Sequence, residues 1–158
     1  MSSSYAPIIS EAARLNDLTE QLIAAVILQE SGGYAYAVRY EEGFFRRYIQ
    51  GKQPRQLLGY FPKTISISTE YHCRATSWGL MQVMGQVARE RGFNGESLVE
   101  LVDPATNIHL GASIFRSHLD KTKDLRKALL RYNGGSNAEY ADGVVGIMES
   151  DEINAILK

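Results

Sequence analysis

The chain has 158 residues, of which 44% are hydrophobic, and its 17 basic and 18 acidic residues leave a formal charge of −1. This length and composition are typical of a single globular domain, predicted over 1–158, with one core. The near-zero charge disfavours nucleic-acid binding driven by overall charge. No apolar run reaches the roughly 18 residues that span a bilayer. We therefore expect no nucleic-acid partner and no stable membrane insertion.

Residues 1–7 lack the basic region and the apolar region that make up a secretory signal. Cys73 is the only cysteine, which excludes an internal disulfide and an ordinary cysteine zinc site. His72 and Cys73, together with a distant histidine, could suggest a cysteine peptidase. The typical sequence context is missing, however, and a lone cysteine is more often a small buried residue. The histidines are too scattered to indicate a metal site.

Hydrophobic residues recur at helical spacing along most of the chain, with capping residues and glycines between the runs. Asn16 or Thr19 can cap the first predicted helix, and Gly32 with Gly33 can end it. Ser77 is the N-cap predicted for the second helix. The predicted helices cover Leu18–Gln29, a run from Ser77 through Ala88 that ends near Gly92, Ser97–Val102, Pro104–Leu119, a run from Asp124 through Tyr132, and Ala141–Leu157.

The segment 34–75 has a different composition and is interpreted as an inserted aromatic and basic lobe over a helical core. Six Tyr and three Phe lie between residues 34 and 71, and six basic but only two acidic residues lie between 39 and 63. The alternating sequence Thr64–Ser68 predicts a short strand or an extended arm. The fold class predicted from these patterns is mainly α, with a small irregular or short-strand lobe.

Glu30 is the most informative single residue. On a helical projection it falls among Ile23, Val26 and Ile27, at the C-terminal end of the first predicted helix. Desolvation and the negative pole of the helix would both raise the pKa of a carboxyl group there. A carboxylic acid that stays protonated near neutral pH is what general-acid cleavage of an acetal requires. The open alternative is a helix-end Glu turned out to solvent, which is the commoner arrangement.

Four short motifs follow one another along the chain. They are Gln29-Glu30-Ser31-Gly32-Gly33, then Ser77-Trp78-Gly79-Leu80-Met81-Gln82, then Tyr132-Asn133-Gly134-Gly135, and finally Tyr140 with Val144 four residues later. In this order they resemble the lytic transglycosylase domain of the soluble-transglycosylase type, which is related to goose-type lysozyme. The resemblance spans roughly Leu22 to Val145. The chain departs from the family pattern at Arg131, where Ala is usual, and in the greater length of its inserted lobe.

The resemblance implies a lysozyme-like helical domain with one cleft and a peptidoglycan lytic transglycosylase activity. Such an enzyme cuts the β-1,4 bond between N-acetylmuramic acid and N-acetylglucosamine and leaves a 1,6-anhydromuramoyl product. By this analogy Glu30 is the catalytic acid and then the base. No second carboxylate stands at a motif position, so the scheme with two carboxylates does not apply simply.

The remaining motif residues are predicted to bind substrate. Gln82 and Tyr132 match family positions that line the cleft, and Tyr132 could orient Glu30 through a hydrogen bond. Asn133 is expected to shape its turn. Plausible supporting or sugar-contacting residues are Ser31, Ser77, Met81 and Tyr140. Their structural alternatives are a core position for Met81, a helix cap for Ser77 and a packed aromatic for Tyr140.

Two other functions stay open. A goose-type hydrolase would carry an additional acidic residue near the cleft, commonly where this chain has Met84. Glu41, Glu42 or Glu70 could serve instead. Such residues, however, usually face solvent or pair with a nearby arginine, here Arg46, Arg47 or Arg74. A catalytically inactive wall-binding module is the non-enzyme alternative. In the lobe, aromatic rings could stack on sugars and cations could bind carboxylates, or the residues could form a satellite core.

The expected partner is therefore the glycan strand of peptidoglycan, and a monomer is expected. The resemblance implies no cofactor and no metal. A missing signal and a cell-wall substrate together suggest a protein of phage type, made in the host cytoplasm and then released or carried in the virion.

Overall fold

The computed structural model describes the backbone of residues 5–158 and, apart from residue 155, their side chains. Residues 1–4, which begin both the predicted domain and the segment without a secretory pattern, lie outside the described residues. The chain divides into two compact units. The first unit consists of residues 5–33 and 108–158, and the second of residues 34–107.

Helices dominate both units, which confirms the predicted fold class. The α-helices are α1 (Ala6–Asn16), α2 (Glu20–Ser31), α3 (Glu42–Phe44), α4 (Ile67–Arg74), α5 (Gly85–Glu90), α6 (Pro104–Thr122), α7 (Leu125–Tyr132), α8 (Tyr140–Met148) and α9 (Asn154–Leu157). A π-helical turn over Phe45–Ile49 follows α3, and short 3-10 helices cover Pro54–Gln56, Leu98–Val102 and Asp151–Ile153. No helix within residues 5–158 combines the length and the apolar character needed to cross a membrane.

Helix α2 forms the centre of the first unit. Its six consecutive residues Leu22–Ile27 are all buried, so it packs on every side rather than along one stripe. Thr19 caps the helix by accepting a hydrogen bond from the backbone N–H of Leu22, and Gly32 ends it in the left-handed conformation with φ 60°. Thr19 was one of the two predicted caps and Gly32 was part of the predicted stop, but the helix begins and ends two residues later than the predicted Leu18–Gln29. Glu30 therefore lies in its last turn.

The second unit contains a small antiparallel sheet of strands β1 (Val38–Tyr40), β2 (Thr76–Trp78) and β3 (Val83–Met84), with β2 in the middle. Beside it, the fully buried carboxylate of Glu70 binds two fully buried guanidinium groups. Glu70 Oε1 lies 2.9 Å from Arg74 Nε and 2.8 Å from Arg89 Nε. This buried ion-pair cluster ties α4 to α5.

The helix predicted to start at Ser77 is wrong. Ser77 lies in β2 and caps no helix, and the helical segment starts only at Gly85. The intervening turn is incompatible with a helix because Gly79 has φ 70° and Gln82 has φ 47°. A buried side chain stabilises this turn: Asn107 Oδ1 accepts a hydrogen bond from the backbone N–H of Met81 at 2.7 Å.

Two other predictions are corrected. The segment Thr64–Ser68 forms no strand, since Ser66 caps α4 by accepting a hydrogen bond from Thr69 N. The last predicted helix is interrupted after Met148, because the side chain of Ser150 caps a new 3-10 turn. The helices α1, α3 and α4 were not predicted. The other predicted helices are present, although Ser97–Val102 is a 3-10 helix.

Candidate active site

Glu30 lies in the last turn of α2, and its side chain is half-buried. The negative pole of the helix dipole is at this end of α2. The hydroxyl of the next residue, Ser31, donates a hydrogen bond to the carbonyl oxygen of Ile27, one turn earlier in the helix, at 3.0 Å.

The hydroxyl of Tyr140 donates a hydrogen bond to Glu30 Oε1, with an oxygen–oxygen distance of 2.5 Å. Tyr140 is the first residue of α8, and only 3% of its surface is exposed. Helices α2 and α8 approach closely here: a Cβ atom on Gly143 would lie 2.8 Å from Gln29 Oε1. The packing of α8 on α2 therefore sets the position of the Tyr140 hydroxyl relative to the carboxyl group.

Tyr132 completes a cluster of three polar side chains in the first unit. It is the last residue of α7, and its ring lies 5.8 Å from the ring of Phe115. Burial first, and then the charge of Glu30, raise the pKa of Tyr132 well above its ordinary value near 10. The same causes, joined by the hydrogen bond to Glu30, raise the pKa of Tyr140. Both phenols thus stay protonated near neutral pH, and Tyr140 remains a hydrogen-bond donor.

The turn after α7 contains the other motif residues of this unit. Asn133 is half-buried and caps the C-terminal end of the helix, with its backbone N–H donating to Leu129 O at 3.1 Å. Gly134 follows with φ 88°, a conformation that favours glycine. The chain then leads through an exposed loop to Tyr140. This turn thus connects the two tyrosines of the cluster.

The motif residues Ser77, Met81 and Gln82 belong to the second unit. Ser77 is 4% exposed and Met81 is 1% exposed, so both contribute to the interior of that unit. Gln82 is half-buried, and its Nε2 atom donates to the carbonyl oxygens of Ala37 and Gly79, each at 3.0 Å. These hydrogen bonds fix the side-chain amide of Gln82 on the turn between β2 and β3.

Sequence reasoning missed Asn107, which is fully buried. Besides binding Met81 N, its Nδ2 atom donates to Trp78 O at 2.7 Å and Leu101 O at 2.8 Å. A signal was available, because Asn107 occupies the apolar stripe of α6 that continues through Ile114 at helical spacing. A side-chain amide on such a stripe needs buried hydrogen-bond partners, and the backbone groups of a turn elsewhere in the chain can supply them.

The alternative carboxylates between the motifs each have an arginine partner. Glu41 pairs with Arg39 and Glu42 pairs with Arg46, both at 2.6 Å, whereas Glu70 is buried in the ion-pair cluster. Burial and the charge of Glu70 raise the pKa of Cys73, which is opposite to the shift that activates a thiol. Among residues 5–158, no group of three or more His, Cys, Asp or Glu is arranged to hold a metal ion.

Comparison with known proteins shows the family of this chain. Residues 7–143 match the family model of the transglycosylase SLT domain, and the chain belongs to that family. A transglycosylase of Enterobacteria phage PRD1 is 41% identical over 59 residues, which are 37% of this chain and 20% of that protein.

An inactive mutant of the lytic transglycosylase Slt from Pseudomonas aeruginosa shares the fold. Its X-ray structure matches 96% of this chain and 22% of its own, with a TM-score of 0.52 and 18% sequence identity. The chain thus spans about a fifth of the length of each of these two proteins.

Proposed function

We propose that this domain is a peptidoglycan lytic transglycosylase and that Glu30 is its catalytic residue. The observation that carries the proposal is the hydrogen bond from Tyr140 to Glu30, at the motif position of a chain that belongs to the transglycosylase SLT family. The C-terminal end of a helix favours the neutral form of a half-buried carboxyl group. A neutral phenol beside that group can donate a hydrogen bond to its ionised form. One carboxyl group can therefore serve in both protonation states.

The proposed reaction begins when protonated Glu30 gives its proton to the bridging oxygen of the β-1,4 bond between N-acetylmuramic acid and N-acetylglucosamine. As this bond breaks, the 2-acetamido oxygen of the muramoyl sugar assists at its anomeric carbon. The ionised Glu30 then takes the proton of the muramoyl C6 hydroxyl. The C6 oxygen bonds to C1 and displaces the acetamido oxygen, which gives the 1,6-anhydro product without adding water.

Tyr140 is proposed to stabilise the Glu30 carboxylate between the two proton transfers. A hydrogen bond to an ionised acceptor is roughly twice as strong as a neutral one, so this contact strengthens as Glu30 loses its proton. Tyr132, Asn133 and Ser31 are proposed to contact the sugars. Gln82 is also proposed to bind substrate, with Ser77 and Met81 supporting its turn.

We also propose that the domain acts as a monomer on glycan strands of the bacterial cell wall. The phage source of one relative supports a protein made in a bacterial host and then released or carried in the virion.

The role of Glu30 is tested with the variant Glu30→Gln, which keeps the size and removes the acid. Glu20→Gln is the matched control, because Glu20 lies at the opposite end of the same helix. We expect the control to release soluble fragments from purified peptidoglycan at the wild-type rate and Glu30→Gln to release none. Equal release by wild type and Glu30→Gln would overturn the proposal. A wild type that releases nothing would leave the wall-binding module.

A further inference from the structure

The second unit contains a cavity of about 420 Å³ that the proposed reaction does not use. Its size falls within the range of about 300–1,000 Å³ that is typical of sites for small ligands. The lining combines apolar side chains (Leu57, Leu58 and Val87) with charged ones from the inserted lobe and from α5. Such a mixture, an apolar surface with a few polar groups, is the usual composition of a binding site.

One wall of the cavity is formed by the π-helical turn that follows α3. The centre of the Tyr48 ring in this turn lies 4.9 Å from that of Phe44, the last residue of α3, and the guanidinium of Arg47 lies 6.0 Å from the centre of the Tyr48 ring. π-Helical turns are rare and are frequently found at functional sites. Here the turn presents one aromatic ring and a cation to the cavity, and the end of α3 adds a second ring.

The two positive charges that line the cavity are not paired with neighbouring acidic residues. The nearby acidic residues Glu41 and Glu42 are already paired with Arg39 and Arg46. Arg47 and Lys52 line the cavity, and neither forms an ion pair within the described part of the chain. Glu90 is the acidic residue of the lining. The cavity therefore offers two cations and one carboxylate.

The lining is held in place by the buried ion-pair cluster. Arg74 donates to Leu58 O at 2.8 Å and to Gln86 Oε1 at 2.9 Å, and Gln86 Nε2 donates to Glu90 at 2.9 Å. In addition, the hydroxyl of Tyr71 donates to Lys52 O at 2.6 Å. A site that is already fixed loses less conformational entropy when a ligand binds.

We infer that this cavity binds an acidic peptide that carries at least two carboxylates and one free amino group. Arg47 and Lys52 would bind the carboxylates, Glu90 would bind the amine, and the apolar residues would pack against short aliphatic side chains. A neutral sugar would leave both cations unpaired. Peptidoglycan stem peptides have this chemistry, so the inference rests on the proposed function and assigns the inserted lobe to the peptide part of that substrate.

The test is a calorimetric titration with a synthetic tetrapeptide of N-acetyl-L-alanine, γ-linked D-glutamate, meso-diaminopimelate and D-alanine. The same peptide with its carboxylates amidated is the control ligand. The cavity variant is Arg47→Gln with Lys52→Gln. The matched control is Arg55→Gln with Lys63→Gln, which removes the same two charges from exposed positions outside the cavity lining. All four side chains are exposed, so both variants should keep the fold.

We expect the charged peptide to bind wild type and the control variant equally, and the cavity variant at least about tenfold more weakly, because two charge-assisted contacts are lost. The amidated peptide should bind none of them. Failure of wild type to bind the charged peptide would overturn the inference, as would an equal loss in both variants. Binding is independent of Glu30, so peptide binding without glycan cleavage would contradict the proposed reaction and keep the cavity assignment. Glycan cleavage without peptide binding would support the proposed reaction and overturn the cavity assignment.

Discussion

Tyr140 offers the most direct test at the scale of single residues. Tyr140→Phe removes the hydroxyl that donates to Glu30 and keeps the buried ring. A hydrogen bond to a charged group is worth about 1.5–3 kcal/mol, so we expect the cleavage rate to fall about 10- to 150-fold. Loss of the donor disfavours the carboxylate. The limb of the pH–rate profile on which Glu30 loses its proton should therefore move to higher pH.

The rate of muropeptide release across the pH range measures both effects. Circular dichroism of the variant serves as the control for folding. A purely structural role for Tyr140 would lower the amount of folded protein but leave the pH limb in place. An unchanged rate together with an unchanged limb would contradict the positioning role.

At the scale of elements, Gly79 tests the turn between β2 and β3. Its φ of 70° strains any other residue, and a Cβ atom would lie 2.5 Å from Asn107 Nδ2 and 2.7 Å from Leu101 O. Gly92 is the matched control, because it has φ 91° and nothing within 4 Å of an added Cβ atom. We expect Gly92→Ala to cost about 1 kcal/mol of unfolding free energy and Gly79→Ala about 3 kcal/mol.

Denaturant unfolding measures both changes. Equal costs would mean that the hydrogen bonds of Asn107 do not restrict the space around Gly79. That result would remove the physical basis for the fixed position of Gln82.

The buried ion-pair cluster gives the second prediction at this scale. Glu70→Gln leaves the guanidinium groups of Arg74 and Arg89 buried with no carboxylate between them. Removing one partner from a buried ion pair costs about 3–5 kcal/mol, so we expect a loss of that size. Glu42→Gln is the control, since Glu42 forms an exposed pair with Arg46 and such pairs contribute about 0–1 kcal/mol. Similar losses in the two variants, measured by denaturant unfolding, would contradict this account.

Individual elements show which parts of the structure could be predicted from the sequence and which could not. Helix α2 was predicted to within two residues at each end, because Thr19 and Gly32 act through neighbouring backbone groups. The turn of Gly79 and Gln82 was not, since it depends on Asn107, which is 26 residues from Met81. An apolar run such as Leu80–Ala88 has the same spacing whether or not a strand interrupts it.

In the candidate site, too, local features could be predicted from the sequence, whereas a contact between distant residues could not. Glu30 could be identified from its position on an apolar helix face and from its motif. Its hydrogen bond to Tyr140 joins residues 110 positions apart and depends on how α8 packs on α2. Periodicity specifies which face of each helix is buried but not which polar side chains meet there. Tyr140 was accordingly predicted only as a supporting residue, and its hydrogen bond to Glu30 was not predicted.

At the scale of the whole molecule, the two tyrosines predict how stability depends on pH. Their surroundings raise the pKa of Tyr132 and of Tyr140 above 10 in the folded protein. Above that pH the unfolded chain loses protons that the folded protein keeps. The two tyrosines therefore leave the unfolding free energy unchanged well below about pH 10. It falls as the pH rises further, with a slope that approaches about 1.4 kcal/mol per pH unit for each tyrosine.

Denaturant unfolding between about pH 8 and pH 11 measures this slope. The double variant Tyr132→Phe with Tyr140→Phe should flatten it, whereas Tyr36→Phe, at an exposed position, should leave it as in wild type. An identical slope in all three proteins would mean that neither buried phenol is linked to folding.

The central claim is that Glu30 cuts the glycan strand without adding water, and mass spectrometry of the released muropeptides tests it most directly. Purified peptidoglycan is digested with wild type, Glu30→Gln and Glu20→Gln in parallel. The account predicts 1,6-anhydromuramoyl ends, lighter by one water molecule than hydrolysed ends, from wild type and Glu20→Gln and none from Glu30→Gln. Reducing, hydrated ends from wild type would contradict it and identify a goose-type hydrolase.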